Sequence, residues 1–448
     1  MPGDPHDEER MRTLARRALA AMPGGASHDS RQMVPHGLFV RCGAGARKIG
    51  EDGNAYVDLQ CGNGALLLGH AVQLVIDAGR RALECGLNFS AGSEAEIQWA
   101  ETVLRLMPAA EQIRFTASGN EACALAVAIA RAVTGRGAIL ALRGHYYGWV
   151  APALLPRYPV QQVMSQAARA DIVVAEADGP QQAIAALASG RFAALLFEPT
   201  GASFGKLPLS DGETRALTAA AQHSGSLCIL DETITGFRVA PGGAQALHRL
   251  TPDLTVLGKI LGGGLPCGAV AGRRTHLDVL DNRPGAAPHT RHLSHMGTGN
   301  GNPLVAAIGT ATLAALEGGA PIVHANAAAA RLRVGLNRTF RELGIAWAAY
   351  GEFSGVHVFL NPHGRALDPL AFDPHDVPDT ELLARAPQLV NALRLALLRH
   401  RIDINPWPGG LMSAAHDDQT INEAIVGFQM ALADLGAANW RLTGWGDT

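Results

Sequence analysis

The feature that most limits what this chain can fold into is an alternation between residues 113 and 272. Short apolar runs recur there: IRFTA (113–117), AILAL (138–142), DIVVAE (171–176), FAALLFE (192–198), LCILD (227–231) and AVAG (269–272). Helical patterns such as EACALAVAIARAVTG and ETRALTAAAQHSG stand between several of them. That alternation predicts an α/β fold, with a mostly parallel sheet between two layers of helices. In such sheets ligands sit beyond the carboxyl ends of the strands, so the polar residues that follow each run are the ones to inspect.

From about residue 311 the pattern changes. One long helix-like segment (311–343) leads to a strand-like SGVHVFL (354–360). A helix-like stretch (380–400), the short DINPWPGGLMS and a final helix from about Gln419 follow. The expected organisation is therefore a large domain over 51–310 and a smaller α+β domain over 311–448. The first 50 residues are expected to pack with the small domain or with a partner subunit.

Composition narrows the function classes. A chain of 448 residues with 48% hydrophobic and 17% charged residues folds around a large core. Its net charge of −3 and its lack of a basic stripe argue against nucleic acid as a partner. No apolar run reaches the roughly 18 residues of a membrane span. The opening MPGDPHDEERMRTLARR lacks the apolar core of a secretion signal, so a cytoplasmic protein with reduced cysteines is expected. HTRHLSH (289–295) lacks the helical spacing of a two-histidine metal site, and no metal is expected there.

Only three residues carry a primary amine on their side chain: Lys48, Lys206 and Lys259. Lys48 lies in the turn-rich RCGAGARKIGEDG and reads as a solvated surface residue, and Lys206 lies in a loop. Lys259 alone sits among apolar neighbours, in TVLGKILGGGLPCG (255–268). Desolvation there lowers a lysine's pKa and frees a neutral, nucleophilic amine, which is what a Schiff-base enzyme needs.

Other candidates follow the apolar runs. Ser118-Gly119-Asn120-Glu121 opens a helix with a Ser-x-x-Glu capping box, and it reads either as an ordinary cap or as a phosphate site. Asp231 ends a buried run, either as a capping carboxylate or as a partner for a protonated pyridine nitrogen. GHYYGW places Tyr146 and Tyr147 where an aromatic ring packs on the surface or stacks on a flat cofactor. Glu198 ends another run, and MGTGNGNP supplies Thr298. Together these are a phosphate cradle, a ring stacker, a pyridinium partner and an amine at one sheet edge, the parts a pyridoxal phosphate (PLP) enzyme must have.

Here the sequence resembles a family. PDLTVLGKILGGGLPCGAVAG (252–272) matches a class III aminotransferase motif nearly position by position. LDETITGFR matches the pattern written DEVMTGFR, and DGNAYVDL (52–59) and LLGHA (67–71) match earlier landmarks. The similarity runs from about Pro23 to His416, in the branch that includes glutamate-1-semialdehyde 2,1-aminomutase. It implies the PLP-dependent transferase fold type I and a homodimer with shared active sites. By this resemblance Lys259 carries the cofactor as an internal aldimine, Asp231 pairs with its pyridine nitrogen, and Tyr146 stacks on the ring, with Thr233 lying against it. Ser118, Gly119 and Asn120 bind the phosphate, Thr298 reaches the phosphate of the neighbouring subunit, and Arg31 grips a substrate carboxylate. Arg238 is a further candidate for a carboxylated substrate.

The chain also departs from the aminomutase branch. Asn63 replaces a tryptophan, Pro408 replaces an acidic residue, Asn120 replaces a threonine, and WVAPALLPRYPVQQVMSQA replaces a long Gly/Ser-rich gating loop. A mutase must retain its intermediate, and a mobile lid serves that end. An aminotransferase acting on a small-molecule amino donor and a carbonyl acceptor is therefore expected. An aminomutase and a non-enzymatic PLP-binding protein are the alternatives.

Overall fold

The computed structural model describes residues 5–148, 171–175, 179–286 and 292–436. Trp149 and the segment that follows it to residue 167, Glu176 and residues 289–291 lie outside the described residues. The chain divides into two compact units, Gln73–Ile322 and Met1–Val72 with Val323–Thr448.

The unit Gln73–Ile322 is built on a seven-stranded sheet. In chain order the strands are β1 (Gln112–Thr116), β2 (Ala138–Leu142), β3 (Ile172–Ala175), β4 (Phe192–Phe197), β5 (Leu227–Asp231), β6 (Leu254–Gly258) and β7 (Gly268–Gly272). Their order across the sheet is β1-β7-β6-β5-β4-β2-β3. Only β7 runs antiparallel to its neighbours, β1 and β6. The remaining pairs are parallel.

Side-chain alternation along the strands splits the core in two. Ile139, Ala141, Leu196, Ile229 and Val256 pack with Ala122, Leu125, Ala126, Ile129 and Ala130 of the helix Gly119–Thr134. The intervening Leu140, Leu142, Leu195, Phe197 and Leu230 pack with Leu187, Leu217 and Ala221 on the other face. Both strand faces are therefore apolar, which is why the runs read as nearly continuous hydrophobic stretches. Each large side chain so buried contributes about 1.5–3 kcal/mol.

Sequence analysis missed one strand of this sheet. LTVLG (254–258) forms β6, whose carboxyl end carries Lys259. The strand turns directly into the Lys259–Gly262 3-10 helix, with Gly258 alone at the boundary.

The other unit has a four-stranded sheet in the order Val40–Ala44, Arg47–Gly50, Ala55–Asp58, Ile402–Asp403, and a three-stranded sheet in the order Ala348–Tyr350, Gly355–Phe359, Gly409–Leu411. Its core joins Val57, Leu336, Phe340, Leu393, Leu397, Ile421 and Phe428. Two expected helices are each broken. The segment 311–343 falls in Pro303–Leu316 and Ala320–Glu342, interrupted at Gly318-Gly319, where Gly319 adopts a left-handed φ of 75°. The stretch 380–400 is Asp379–Leu382 and Pro387–Arg399, separated where Pro387 starts a new first turn.

Lys48 is also a correction. Its Nζ lies 2.8 Å from Asp58 Oδ1 and 2.6 Å from Asp403 Oδ2, with little of the side chain exposed. Asp58 Oδ2 meets His70 Nε2 at 2.7 Å. The two carboxylates hold the Lys48 ammonium well above the ordinary lysine range against the cost of burial. Lys48 is thus the centre of an ion cluster, and not a solvated residue.

Among the described residues no single helix is long and apolar enough to cross a membrane. All six cysteines are free thiols.

Candidate active site

The parallel strands bring their carboxyl ends to one edge, and the register shows how near the candidates lie. Asp231 is the last residue of β5 and pairs with Val256 of β6, three residues before Lys259. Leu230 pairs with Phe197, the residue before Glu198. On the other side Gly258 pairs with Gly268, and Gly268 pairs with Thr116, two residues before Ser118.

Close approach requires glycine at 268 and leaves little room at 258 and 119. A Cβ on Gly268 would stand 2.2 Å from the Ser118 carbonyl oxygen. One on Gly258 would stand 3.2 Å from Thr233 Cγ2 and 3.6 Å from Gly119 Cα. One on Gly119 would also come within 3.2 Å of Thr233 Cγ2. The Ser118 turn, Thr233 and the residue before Lys259 therefore meet in one tight cluster.

Lys259 itself has a left-handed backbone, φ 50°, a conformation that costs a non-glycine residue about 1–3 kcal/mol and persists only where its surroundings impose it. Here part of that restraint is Trp99, whose indole Nε1–H donates to the Leu261 carbonyl at 3.1 Å while its ring stacks on Phe115 at 3.9 Å. Lys259 is half-buried. Desolvation lowers its pKa to about 8, Asp231 and Glu198 oppose the shift, and Arg238 adds to it.

Asp231 is 5% exposed, and its Oδ1 accepts the Thr233 N–H at 2.9 Å. Burial raises its pKa, partly offset by Thr233 and by the Lys259 charge. The next residue, Glu232, points elsewhere: it accepts from Ala244 N–H (2.6 Å), Gln245 N–H (3.0 Å) and Thr235 Oγ1 (3.0 Å). Two adjacent carboxylates are thus buried for different purposes. Arg238 is fully buried. It is therefore a cation of the protein interior near Lys259, without the open surface a substrate arm needs.

Ser118 caps the helix Gly119–Thr134, its Oγ accepting the Glu121 N–H at 3.2 Å. The reciprocal half of the expected capping box differs: the Glu121 carboxylate accepts from Ala117 N–H at 3.1 Å, one residue earlier than the box requires. The first N–H groups of this helix, those of Gly119 and Asn120 among them, have no intrahelical carbonyl to bond and present a positive dipole end.

Glu198 is nearly buried and accepts the Tyr146 N–H at 2.8 Å, which ties the tyrosine turn to β4. Tyr146 is 40% exposed. Thr298 is exposed, with its carbonyl accepting from Asn88 Nδ2 at 2.8 Å, and the adjacent Gly299 packs beside Ala117. Arg31 belongs to the other unit, exposed at the end of the Asp29–Arg31 turn.

Lys259, Asp231, Glu198, Thr233 and the Ser118-Gly119-Asn120 turn thus share one edge, and a family model for class-III aminotransferases matches residues 27–343 of the chain. The chain belongs to the class-III aminotransferase family.

Individual relatives agree with that placement. A glutamate-1-semialdehyde 2,1-aminomutase of Methanothermobacter thermautotrophicus is 34% identical over 362 residues, covering 78% of this chain and 83% of the relative. Among solved structures, a transaminase with PLP bound superposes with a TM-score of 0.84 at 28% identity, covering 96% of this chain and 98% of the other. An omega-transaminase from Sphaerobacter thermophilus gives 0.81 at 29% identity, with 97% and 98% covered.

The edge of this class-III aminotransferase fits a flat, phosphate-bearing aldehyde. The start of the helix Gly119–Thr134 supplies free N–H groups for a phosphate, a desolvated amine stands ready for an aldehyde, and a buried carboxylate ends the neighbouring strand. Sequence reasoning passed over Trp99, Gly258 and Gly268, which shape that edge. For the two glycines the signal was present: each flanks the lysine turn where a β-branched residue would ordinarily close a strand.

Proposed function

We propose that this class-III aminotransferase moves an amino group between an amino acid or amine and a keto acid or aldehyde, with Lys259 as the residue that carries PLP. The observation that carries this reading is the desolvated Lys259 amine at the end of β6, beside a buried carboxylate on the neighbouring strand. When bound, PLP supplies an electron sink for the charge left when a C–H bond next to an amine is broken.

The chain's own groups do the rest. Lys259 Nζ would hold the cofactor, and once freed its neutral amine would serve as the base, and then the acid, that moves the donor's proton. Asp231, whose Oδ1 accepts the Thr233 N–H, would hold a proton on the ring nitrogen. Tyr146 would stack on the ring, and Thr233 would lie against it. Ser118, Gly119 and Asn120 bind the phosphate through the helix start, where the dipole favours an anion. Thr298 reaches the phosphate of the neighbouring subunit in a cytoplasmic homodimer, and its exposure within one chain is consistent with that use. Arg31 grips a substrate carboxylate.

Lys259→Ala tests the core of this. Borohydride should fix the cofactor's mass on the wild type and not on the variant, and turnover should fall by about 10²–10⁴-fold or more. Cofactor fixed elsewhere on the variant would sink the assignment.

The similarity to an aminomutase supports a second reading, intramolecular amino transfer. Asn63, Pro408 and the altered segment after Tyr147 favour the first. An amino donor supplied alone decides between them. Stoichiometric release of keto product marks an aminotransferase, and catalytic isomerisation without a second substrate marks a mutase.

A further inference from the structure

Three consecutive residues of the tyrosine turn point alternately. His145 and Tyr147 are buried, at 5% and 2% exposure, and Tyr146 between them is open. The turn is bracketed by Gly144 and Gly148, both with left-handed φ, of 77° and 90°. Tyr147 is anchored at both ends of its hydroxyl, which donates to the Leu196 carbonyl at 2.8 Å and accepts the Leu142 N–H at 3.3 Å. That anchor leaves the backbone on the Tyr146 side to be held by something else.

Glu198 holds it from two directions. Its backbone N–H donates to His145 Nδ1 at 2.9 Å, and its side-chain Oε1 accepts the N–H of Tyr146 at 2.8 Å. One residue thus latches two neighbours, the first through a side chain and the second through the backbone. The chemistry of the first bond is decisive. A backbone N–H can only donate, so Nδ1 must present a lone pair, and the ring is the neutral form with its hydrogen on Nε2. The ring is further fixed by lying 6.0 Å from the Tyr147 ring at 22°.

The carboxylate end of the latch is committed as well. Oε1 also accepts the Ser203 N–H at 3.0 Å and Oε2 the Phe204 N–H at 3.3 Å. Both residues have left-handed φ, of 52° and 63°, which a non-glycine residue adopts only when held. Glu198 therefore cannot shift toward a displaced turn without releasing the 203–204 backbone.

We propose that His145 is a positioning residue. Its Nδ1 lone pair, acting through Glu198, sets the angle at which the Tyr146 ring is offered to the cofactor. The proposal rests on the reading of this edge as a PLP site and goes beyond it, because it gives a role to His145, a buried residue that acts through Glu198.

The test separates acceptor geometry from bulk. In His145→Asn the amide oxygen replaces Nδ1 at the same distance along the side chain. In His145→Gln the acceptor lies one bond too far, and in His145→Leu there is none. The readouts are the PLP dissociation constant, the circular dichroism of the bound cofactor's visible band, and the melting temperature of cofactor-free protein. Tyr146→Ala serves as the reference for a lost stacking ring.

His145→Leu and His145→Gln should weaken PLP binding about tenfold, as expected for one buried N–H left without its acceptor, and should diminish the dichroic band. His145→Asn should stay within about threefold of wild type, because it keeps that bond. Leu and Asn variants that bind PLP alike, whether both like wild type or both weakened in step with their melting temperatures, would overturn the proposal. If wild type fails to bind PLP, or Tyr146→Ala binds it unchanged, the reading of the site fails first.

Discussion

The three lysines provide a test that needs no cofactor. Lys259 has a pKa of about 8, and Lys48 is held well above the ordinary lysine range. At pH 7 roughly 9% of Lys259 is neutral, against roughly 0.03% of a lysine at the unperturbed value, a difference of roughly 300-fold in available amine. Lys48 lies below even that reference, because its proton sits between the Asp58 and Asp403 carboxylates at 2.8 and 2.6 Å. Cofactor-free protein exposed briefly to a small, non-ionising aromatic aldehyde and cyanoborohydride, then mapped by peptide mass, should carry the adduct on Lys259 and none on Lys48. The rate should rise with pH and level off with a midpoint near 8, since it follows the neutral fraction. Asp231→Asn should move the midpoint lower, because Asp231 is a charge that favours the ammonium form. In denaturant the preference should vanish. A midpoint near the roughly 10.5 of free lysine, or an adduct on Lys48 in the folded protein, would refute the desolvation argument.

Three further perturbations follow. Lys48→Met leaves Asp58 and Asp403 buried without their cation and should cost about 3–5 kcal/mol in urea unfolding at neutral pH. Asp58 is held far below the usual carboxylate range, so its stabilisation is complete above pH ~4 and is lost as pH falls below that; the cost of Lys48→Met should shrink over the same interval. Gly268→Ala drives a Cβ to 2.2 Å from the Ser118 carbonyl, so it should destabilise by about 1–3 kcal/mol or more and weaken PLP binding, read by thermal melting and titration. Trp99→Phe keeps the stack on Phe115 and removes the N–H to Leu261, which should cost about 1–3 kcal/mol by denaturant unfolding and lower turnover through the loosened Lys259 turn.

Local signals carried the sequence reading a long way. The helix Gly119–Thr134 was legible because Ser118, the apolar positions 122, 125, 126, 129 and 130, and Gly135 after its end all agree. Buried strands were legible as apolar runs. β6 was not, because its five residues flow into the lysine turn and its identity depends on pairing with β5 and β7. Lys48 was misread because its partners are Asp58, ten positions on, and Asp403, 355 positions away, and neither shows in the surrounding residues. The breaks within 311–343 and 380–400 had visible causes, Gly318-Gly319 and Pro387, which the longer periodic pattern outweighed.

By itself the sequence determined the class of fold, the desolvated lysine and the family motif around it, because each depends on the kind and spacing of neighbouring residues. Only the tertiary structure decided how the lysine is held and addressed: Trp99 on Leu261 across 162 positions, Gly268 against Ser118, and Glu198 latching His145 and Tyr146 across 53 and 52. The physical reason is range. Periodicity and capping act within a few residues along the chain, whereas hydrogen bonds, close packing and desolvation act within a few ångströms of space, and only the fold converts one into the other.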